Sequence, residues 1–266
     1  MHSGMYVAAT GFLASERRLE TITNNLANIN TPGYKADRLV FESYLSKAGA
    51  SEPTAATRSE GTRPSDFVVP SEQYTDQAQG PMKSTGNPLD LAIEGEGFFA
   101  VMTANGERYT RAGNFQVGPN GELVTANGDV ALDDMDRPII VNDGVVTVDQ
   151  SGQIWVEKES ATGQNSDVPM EMSASGRSAG KLKIVEFSKP LELTKEGNGL
   201  YRAEDPGAAL KAENARVSQG TLEQSNVNMI MEMTQLIQNQ RLAETYQKLI
   251  TENDAMTGQM ISQVGR

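Results

Sequence analysis

A seven-residue repeat of apolar and small side chains occupies the first thirty positions and leads into an asparagine-rich turn. Its two lines of residues are Met5, Phe12, Leu19 and Leu26, and Ala8, Ser15, Ile22 and Ile29. A strict seven-residue spacing keeps a stripe against one partner only when helices supercoil, so the repeat favours a coiled-coil seam. Thr31-Pro32-Gly33 predicts the helix end, because the residue before proline avoids the α region. The chain therefore begins with a helix built to pair.

The seam of this helix is weak. Ala8 and Ser15 occupy positions where a stable coiled coil has Leu or Ile, and Asn24, Asn25 and Asn28 lower the helix propensity near its end. An ordinary amphipathic helix packed on its own domain fits the same periodicity. We expect the helix to be marginal alone and to fold only against partners.

A second long amphipathic segment follows Gly220. Its apolar residues spaced by seven or fourteen are Leu222, Met229, Leu236, Ala243, Ile250 and Val264, joined on the same face by Ile230, Met233, Ile237, Met256, Met260 and Ile261. Asn228 is a plausible N-cap of this helix. The stripe fits either an ordinary core or an adaptable, methionine-rich contact surface. With no other helix predicted, its partners are the N-terminal helix or other subunits.

The middle of the chain has the pattern of a β region. Asn-Gly or Asp-Gly pairs at 105–106, 120–121, 127–128 and 143–144 predict tight hairpin turns with positive φ at both central residues. Ten short strands are predicted between residues 89 and 202, which indicates an antiparallel sandwich or irregular barrel. Residues 157–177 are predicted to form a surface loop.

These patterns predict an α+β fold with four parts. Residues 1–35 form the N-terminal helix, and residues 36–80 form an extended linker with one short strand at 66–70. Residues 81–215 form the central β-domain, and residues 216–266 form the C-terminal helix. The two terminal helices are predicted to pair as a coiled-coil-like domain.

The composition argues against a catalytic site, a metal site, and binding to nucleic acid or membranes. The chain has no cysteine, and His2 is its sole histidine, so thiol nucleophiles, histidine triads and zinc sites are not expected. Acidic clusters such as 133–136 lack the spacing of a calcium loop, and no catalytic constellation or cofactor site is predicted. The net charge of −12 disfavours nucleic acid and anionic membranes as partners. No apolar run approaches the roughly 20 residues of a membrane helix, and no secretory signal is expected.

Three blocks of sequence carry a family resemblance. Residues 24–35 (NNLANINTPGYK) resemble the N-terminal signature of bacterial flagellar basal-body rod and hook proteins, with Thr23 where that family usually has alanine. Residues 88–99 (PLDLAIEGEGFF) and 109–115 (YTRAGNF) are similar to the β-domain of the same family, and residues 220–228 (GTLEQSNVN) to the start of its C-terminal helix. The blocks occur in the family's order.

The resemblance implies a non-enzymatic subunit of the flagellar rod, in the proximal part of the rod, with a distal-rod subunit of the same family as the alternative. Such subunits polymerise through their terminal helices into the drive shaft that transmits torque to the hook. The implied partners are copies of the chain, other rod subunits and the flagellar type III export apparatus, which exports the chain without signal cleavage. The implied location is the basal body, in the periplasmic part of the rod if the cell is Gram-negative.

The predicted assembly residues lie on the two helices and their flanking turns. In the N-terminal part they are Met5, Phe12, Leu19, Ile22, Asn24, Asn25, Leu26, Asn28, Ile29, Asn30, Pro32, Gly33 and Tyr34. In the C-terminal part they are Leu222, Asn226, Asn228, Met229, Met233, Leu236, Ile237, Ala243, Ile250 and Met256.

A carbohydrate-binding β-protein with a helical dimerisation stem is a remote alternative. The low aromatic content argues against it, because sugar faces usually stack on aromatic rings and Trp155 is the only tryptophan.

Overall fold

The structure is a computed structural model that describes residues 2–45, 66–142, 144–157, 177–187, 193–212 and 214–264. The predicted surface loop at 157–177 and the interior of the predicted linker, residues 46–65, lie almost wholly outside this range. Long helices stand at both ends of the chain and antiparallel strands lie between them. The predicted α+β class is confirmed.

The described residues include two α-helices and eighteen strands. The helices are α1 (His2–Ala27) and α2 (Met229–Val264). The strands are β1 (Asp37–Leu45), β2 (Asp66–Thr75), β3 (Met82–Ser84), β4 (Leu91–Glu94), β5 (Phe98–Thr103), β6 (Gly106–Thr110), β7 (Gln116–Val117), β8 (Leu123–Val124), β9 (Val130–Ala131), β10 (Val145–Val148), β11 (Gln153–Glu157), β12 (Arg177–Lys181), β13 (Ile184–Phe187), β14 (Leu193–Gly197), β15 (Leu200–Ala203), β16 (Ala209–Lys211), β17 (Arg216–Gln219) and β18 (Thr221–Glu223).

The chain divides into two compact units. The first unit consists of the described residues of Met1–Asn28, Ala36–Asp76 and Val227–Arg266, and the second of those of Ile29–Lys35 and Gln77–Asn226. The first unit contains α1, α2 and the pair β1–β2, and the second contains the other strands.

The prediction of an extended linker over residues 36–80 is wrong at both ends. β1 and β2 pair antiparallel along their whole length, from Asp37 opposite Thr75 to Leu45 opposite Asp66, with a bulge between Val40 and Phe41. The sequences of β1 (DRLVFESYL) and β2 (DFVVPSEQYT) contain several β-branched and aromatic residues, which favour strands, and the polar composition typical of a linker is confined to the residues between them. The predicted strand at 66–70 is confirmed and continues to Thr75.

The start of α2 follows its sequence signal. The side-chain Oδ1 of Asn228 accepts hydrogen bonds from the backbone amides of Ile230 (3.1 Å) and Met231 (3.2 Å). These amides have no partner inside the helix, so the side chain satisfies them. The predicted N-cap is confirmed.

The second unit is built around two buried clusters. β14, β15, β6, β5, β9, β8 and β7 form one sheet that β13 and β16 join through β5, and β10, β11 and β12 form another. Phe99 and Phe115 pack edge to face in the first cluster. In the second cluster Phe98 packs edge to face with Phe187 and at a tilt against Tyr201. β17 pairs with β4 and β18 with β3.

The strand and turn predictions met mixed outcomes. Of the ten predicted strands, those at 98–103 and 145–148 have the bounds of β5 and β10, whereas the one predicted at 139–141 makes only an isolated bridge, between Ile140 and Glu122. Seven described strands overlap no predicted strand, which are β1, β3, β9, β14, β16, β17 and β18, and β12 shares only Lys181 with one. At 105–106, 120–121 and 127–128 only the glycine has positive φ, so the expected double-positive turn is wrong there. Asn198-Gly199, between β14 and β15, has that geometry, with φ of 52° and 74°.

Candidate assembly interface

Small and polar side chains line the contact between α1 and α2 inside the first unit. A Cβ atom added to Gly11 would lie 2.6 Å from Cζ of Tyr246, so only glycine permits this approach. The hydroxyl of buried Ser15 donates to Oδ1 of Asn239 (3.0 Å), and Nδ2 of Asn239 donates to the carbonyl oxygen of Ser15 (2.8 Å). The two helices therefore touch through hydrogen bonds and close backbone approach, with few large apolar side chains between them.

The structure separates the two lines of the N-terminal repeat. Ala8, Ser15 and Ile22 are buried, as are Gly11 and Asn25. The other line is more exposed: Met5 is exposed, and Phe12, Leu19 and Leu26 are half-buried. The predicted seam thus runs along one of its two lines, and Gly11 and Asn25 complete it.

On α2, the predicted residues fall into two groups. Leu236, Ala243 and Ile250 are half-buried beside a second line, Glu232, Asn239 and Tyr246, which the sequence analysis missed. No periodic apolar signal could have revealed that line, because its members are polar or amphipathic.

Large apolar side chains cover the outer face of α2. Ile230 is 79% exposed, and four predicted assembly residues of α2 are also exposed, which are Met229, Met233, Ile237 and Met256. The exposed set is Met229, Ile230, Met231, Met233, Ile237, Leu242, Leu249, Met256 and Met260 on α2, with Met5, Tyr6 and Leu13 on α1. Many large apolar side chains exposed on one element are typical of interaction sites.

The asparagine-rich end of α1 makes bonds within its own chain. The buried amide of Asn25 donates to the carbonyl oxygen of Asp37 and accepts from its backbone N–H, both at 2.9 Å. Nδ2 of Asn28 donates to Oδ1 of Asn24 (3.0 Å), and Asn24 and Asn30 are exposed. Asn25 therefore fastens the start of β1 to α1, and an intersubunit role remains a prediction for Asn24, Asn28 and Asn30.

The turn after α1 belongs to the second unit. The amide of Gly33 donates to the carbonyl oxygen of Glu223 (2.8 Å), and the amide of Asn226 donates to that of Tyr34 (3.3 Å). Gly33 has a φ of 68°, and a Cβ there would lie 2.4 Å from the carbonyl carbon of Arg111. Ile29 and Pro32 of this turn are half-buried, as is Asn226, and Tyr34 and Leu222 are buried. Close backbone packing thus requires glycine in the predicted turn.

A buried ion network holds this turn to the last strand. The side chains of Lys35 and Glu223 are each 1% exposed, and Nζ of Lys35 lies 2.6 Å from Oε1 of Glu223. The same Oε1 accepts from the amide of Gly80 (2.9 Å), and Oε2 lies 3.2 Å from Nη1 of Arg111. Burial lowers the pKa of the Arg111 guanidinium, and the charge of Glu223 opposes that shift.

The remaining bonds of these cations go to backbone carbonyls. Nζ of Lys35 donates to Ala78, and Arg111 donates from Nη1 to Ile93 (3.2 Å) and from Nη2 to Gly95 (2.7 Å). The network joins three distant parts of the sequence. The sequence analysis missed it, because no local pattern distinguishes these charges from solvated ones.

Among the described residues, no group of three or more His, Cys, Asp or Glu side chains could hold a metal ion. No described helix is both long and apolar enough to cross a membrane. The geometry defines a structural class of protein. A pair of terminal helices exposes many apolar side chains, and a separate β-rich unit is held together by a buried ion network.

Comparisons with known proteins identify the family. Models of the flagella basal body rod protein, the flagellar hook protein FlgE/F/G D1 domain and the flagellar basal body rod FlgEFG protein C-terminal region match residues 5–35, 92–156 and 218–263. The flagellar basal-body rod protein FlgF of Caulobacter vibrioides is 32% identical over 267 residues, covering 100% of this chain and 99% of the relative.

Two further relatives agree. FlgF of Mesorhizobium japonicum is 30% identical, covering 100% of this chain and 99% of the relative, and the basal-body rod protein FlgG of Bacillus subtilis is 30% identical, covering 98% and 99%. The chain belongs to the flagellar basal-body rod protein family. It is a structural, non-enzymatic subunit of the bacterial flagellar basal-body rod that assembles with other rod components.

Proposed function

We propose that the chain polymerises through the exposed apolar face of α2 and the exposed residues of α1, which pack against helices of neighbouring rod subunits. In this proposal the coiled-coil-like helix pair forms the inner layer of the rod and the β-rich unit, a sandwich or irregular barrel, forms the outer layer. The resulting shaft transmits torque to the hook.

The observation that carries the proposal is the surface of α2. Its side chains from Met229 to Met260 leave many large apolar groups in water, whereas the α1–α2 contact uses Gly11, Ser15 and Asn239. Burying exposed apolar surface is worth roughly 25 cal/mol per Å². Association with further helices is therefore a stronger source of stability for α2 than its pairing with α1.

Charged substitutions on this face test the proposal. The double variant Ile230→Asp/Ile237→Asp places two carboxylates on the outer face, since both side chains are exposed. Isolated basal bodies from cells that express only the variant should contain little of it, and the cells should lose motility. Leu236→Asp is less informative, because Leu236 is half-buried in the subunit itself.

The matched control is Gln238→Asp/Gln240→Asp, which adds the same charge at two exposed polar positions of α2. We expect normal incorporation of the control and equal melting temperatures of both purified variants. Incorporation of the Ile230→Asp/Ile237→Asp variant at wild-type level would contradict the proposal.

We place the subunit in the proximal rod, with the distal rod as the second candidate. The sequences of residues 17–20, 116–121, 180–185 and 251–254 resemble those of proximal-rod proteins more than those of distal-rod proteins. Relatives named FlgF and FlgG both match nearly the full chain, so position needs a direct test. Deletion of the gene should stop assembly before distal-rod subunits appear in isolated basal bodies. Basal bodies of the deletion strain that hold a complete proximal rod would favour the distal position.

We also propose export through the flagellar type III apparatus, to the periplasmic rod in a Gram-negative cell. The absence of cysteine is compatible with a chain that passes through the channel unfolded. In a strain with an inactivated export ATPase, the subunit should accumulate inside the cell. Its normal delivery to the basal body in that strain would refute this route.

A further inference from the structure

A cavity of about 230 Å³ lies inside the first unit, between α1, the β1–β2 pair and α2. Its lining is Arg18, Thr21, Ile22, Asn25, Asp37, Arg38, Leu39, Val40, Tyr74, Glu232 and Gln235. This volume is far more than one water molecule needs and below the roughly 300 to 1,000 Å³ of small-molecule pockets. One long side chain would fill it.

A buried carboxyl group with an unsatisfied oxygen stands in this cavity. Glu232 is 5% exposed, and its Oε2 has no hydrogen-bond partner, although the carboxyl group bonds to Asn25. A buried acceptor without a donor costs free energy comparable to a lost hydrogen bond, and more when it is charged. The site therefore lacks a donor group.

The neighbouring arginines do not supply that donor. Nε of Arg38 binds Oδ2 of Asp76 at 3.0 Å, and Arg18 is exposed. Burial raises the pKa of Glu232, and this effect exceeds the opposing influence of Arg38, Asn25 and Arg18. The carboxylate oxygen can be satisfied by water or by a donor group that enters the cavity.

We propose that this cavity receives a long side chain that ends in an N–H donor, Gln, Lys or Arg, from an adjacent rod subunit, and that this donor binds Oε2 of Glu232. Ile22, Leu39 and Tyr74 supply the walls for its aliphatic stem. Met229 and Met233 are exposed within one turn of Glu232 on the same helix, so one neighbour can contact them and enter the cavity. The inference rests on the proposed function and adds a specific polar contact to it.

Photo-cross-linking tests the contact in assembled rods. A benzophenone amino acid replaces Gln235, which lines the cavity, Gln240, an exposed polar position, or Ile230, on the apolar face. In isolated basal bodies the residue at 235 should form a subunit-to-subunit adduct at least ten times more often than the residue at 240. Mass spectrometry should locate the adduct beside a Gln, Lys or Arg of the neighbour.

A pair of substitutions tests the acceptor. Glu232→Leu removes the carboxyl group, and Glu244→Leu makes the same change at an exposed position of α2. Glu232→Leu should lower incorporation into basal bodies at least tenfold while the purified protein keeps its helix content and melts at a temperature no lower than that of the wild type, and Glu244→Leu should incorporate normally. Glu232→Gln, which keeps an acceptor oxygen, should restore part of the incorporation.

The outcomes separate this inference from the proposed function. Adducts at 230 without adducts at 235, or normal incorporation of Glu232→Leu, would mean that the helices assemble and the cavity holds only water, which overturns the inference alone. An absence of adducts at both 230 and 235 would overturn the proposed function as well.

Discussion

Removal of the Glu223 carboxylate is the sharpest test of how the second unit is held together. Glu223→Ala leaves Lys35 and Arg111 buried without their common anion, and it removes the acceptor of the Gly80 amide. Breaking a buried ion pair from one side costs about 3 to 5 kcal/mol, because the remaining charge stays desolvated. For a unit of this size the melting temperature should fall by roughly 6 to 20 °C.

The assay is urea unfolding of the purified chain, followed by near-ultraviolet circular dichroism. The midpoint should fall without a change in slope, since the surface exposed on unfolding stays the same. Lys35→Met should cost less than Glu223→Ala, because Glu223 keeps Arg111 and the Gly80 amide. Glu94→Ala, at an exposed position of β4, is the matched control and should change stability by no more than about 0.5 kcal/mol. A loss below about 1 kcal/mol for Glu223→Ala would refute this reasoning.

Three further predictions concern the helices and the response to pH. Gly11→Ala should destabilise the α1–α2 pair, because its Cβ would meet the Tyr246 ring. Gly258 has open space around it, so Gly258→Ala should raise the melting temperature of the helices by removing the roughly 0.5 to 1 kcal/mol by which glycine destabilises a helix relative to alanine. Equal effects in thermal melts at 222 nm would contradict this. Asn228→Ala should cost about 1 kcal/mol by removing the N-cap of α2, as measured by urea unfolding, and an unchanged midpoint would argue against the cap. Burial raises the pKa of Glu232 above its ordinary 4.5. The protonated carboxyl group therefore contributes to the free energy of unfolding, and this contribution is fully present below pH 4.5 and is lost as the pH rises through the raised pKa. Glu232→Gln should abolish this pH dependence in thermal melts across pH 4 to 8.

The sequence predicted the elements that depend on local spacing and missed those that depend on distant partners. The seven-residue repeat predicts both helices because i, i+3 and i+4 neighbours share a face. β1 and the second half of β2 were assigned to a linker because they flank a polar stretch, residues 47–64, and their pairing joins segments on opposite sides of it. Lys35 and Glu223 are 188 positions apart, and no local pattern marks either as buried.

The candidate interface divides in the same way. The apolar residues Met229, Met233, Ile237 and Met256 were predicted and are exposed, as an assembly face requires. Asn25 was also predicted, but its amide binds the backbone of Asp37 within the same unit. An asparagine in a turn can satisfy its own chain or a neighbour, and only the positions of the backbone groups decide between them.

The rate at which a thiol at position 230 reacts with maleimide tests the central claim most directly. The chain has no cysteine, so Ile230→Cys introduces a unique thiol on the outer face of α2. The account predicts fast labelling of the purified monomer and labelling at least ten times slower in isolated basal bodies. Equal rates in the monomer and in the basal body would contradict the claim that this face is buried by neighbouring subunits.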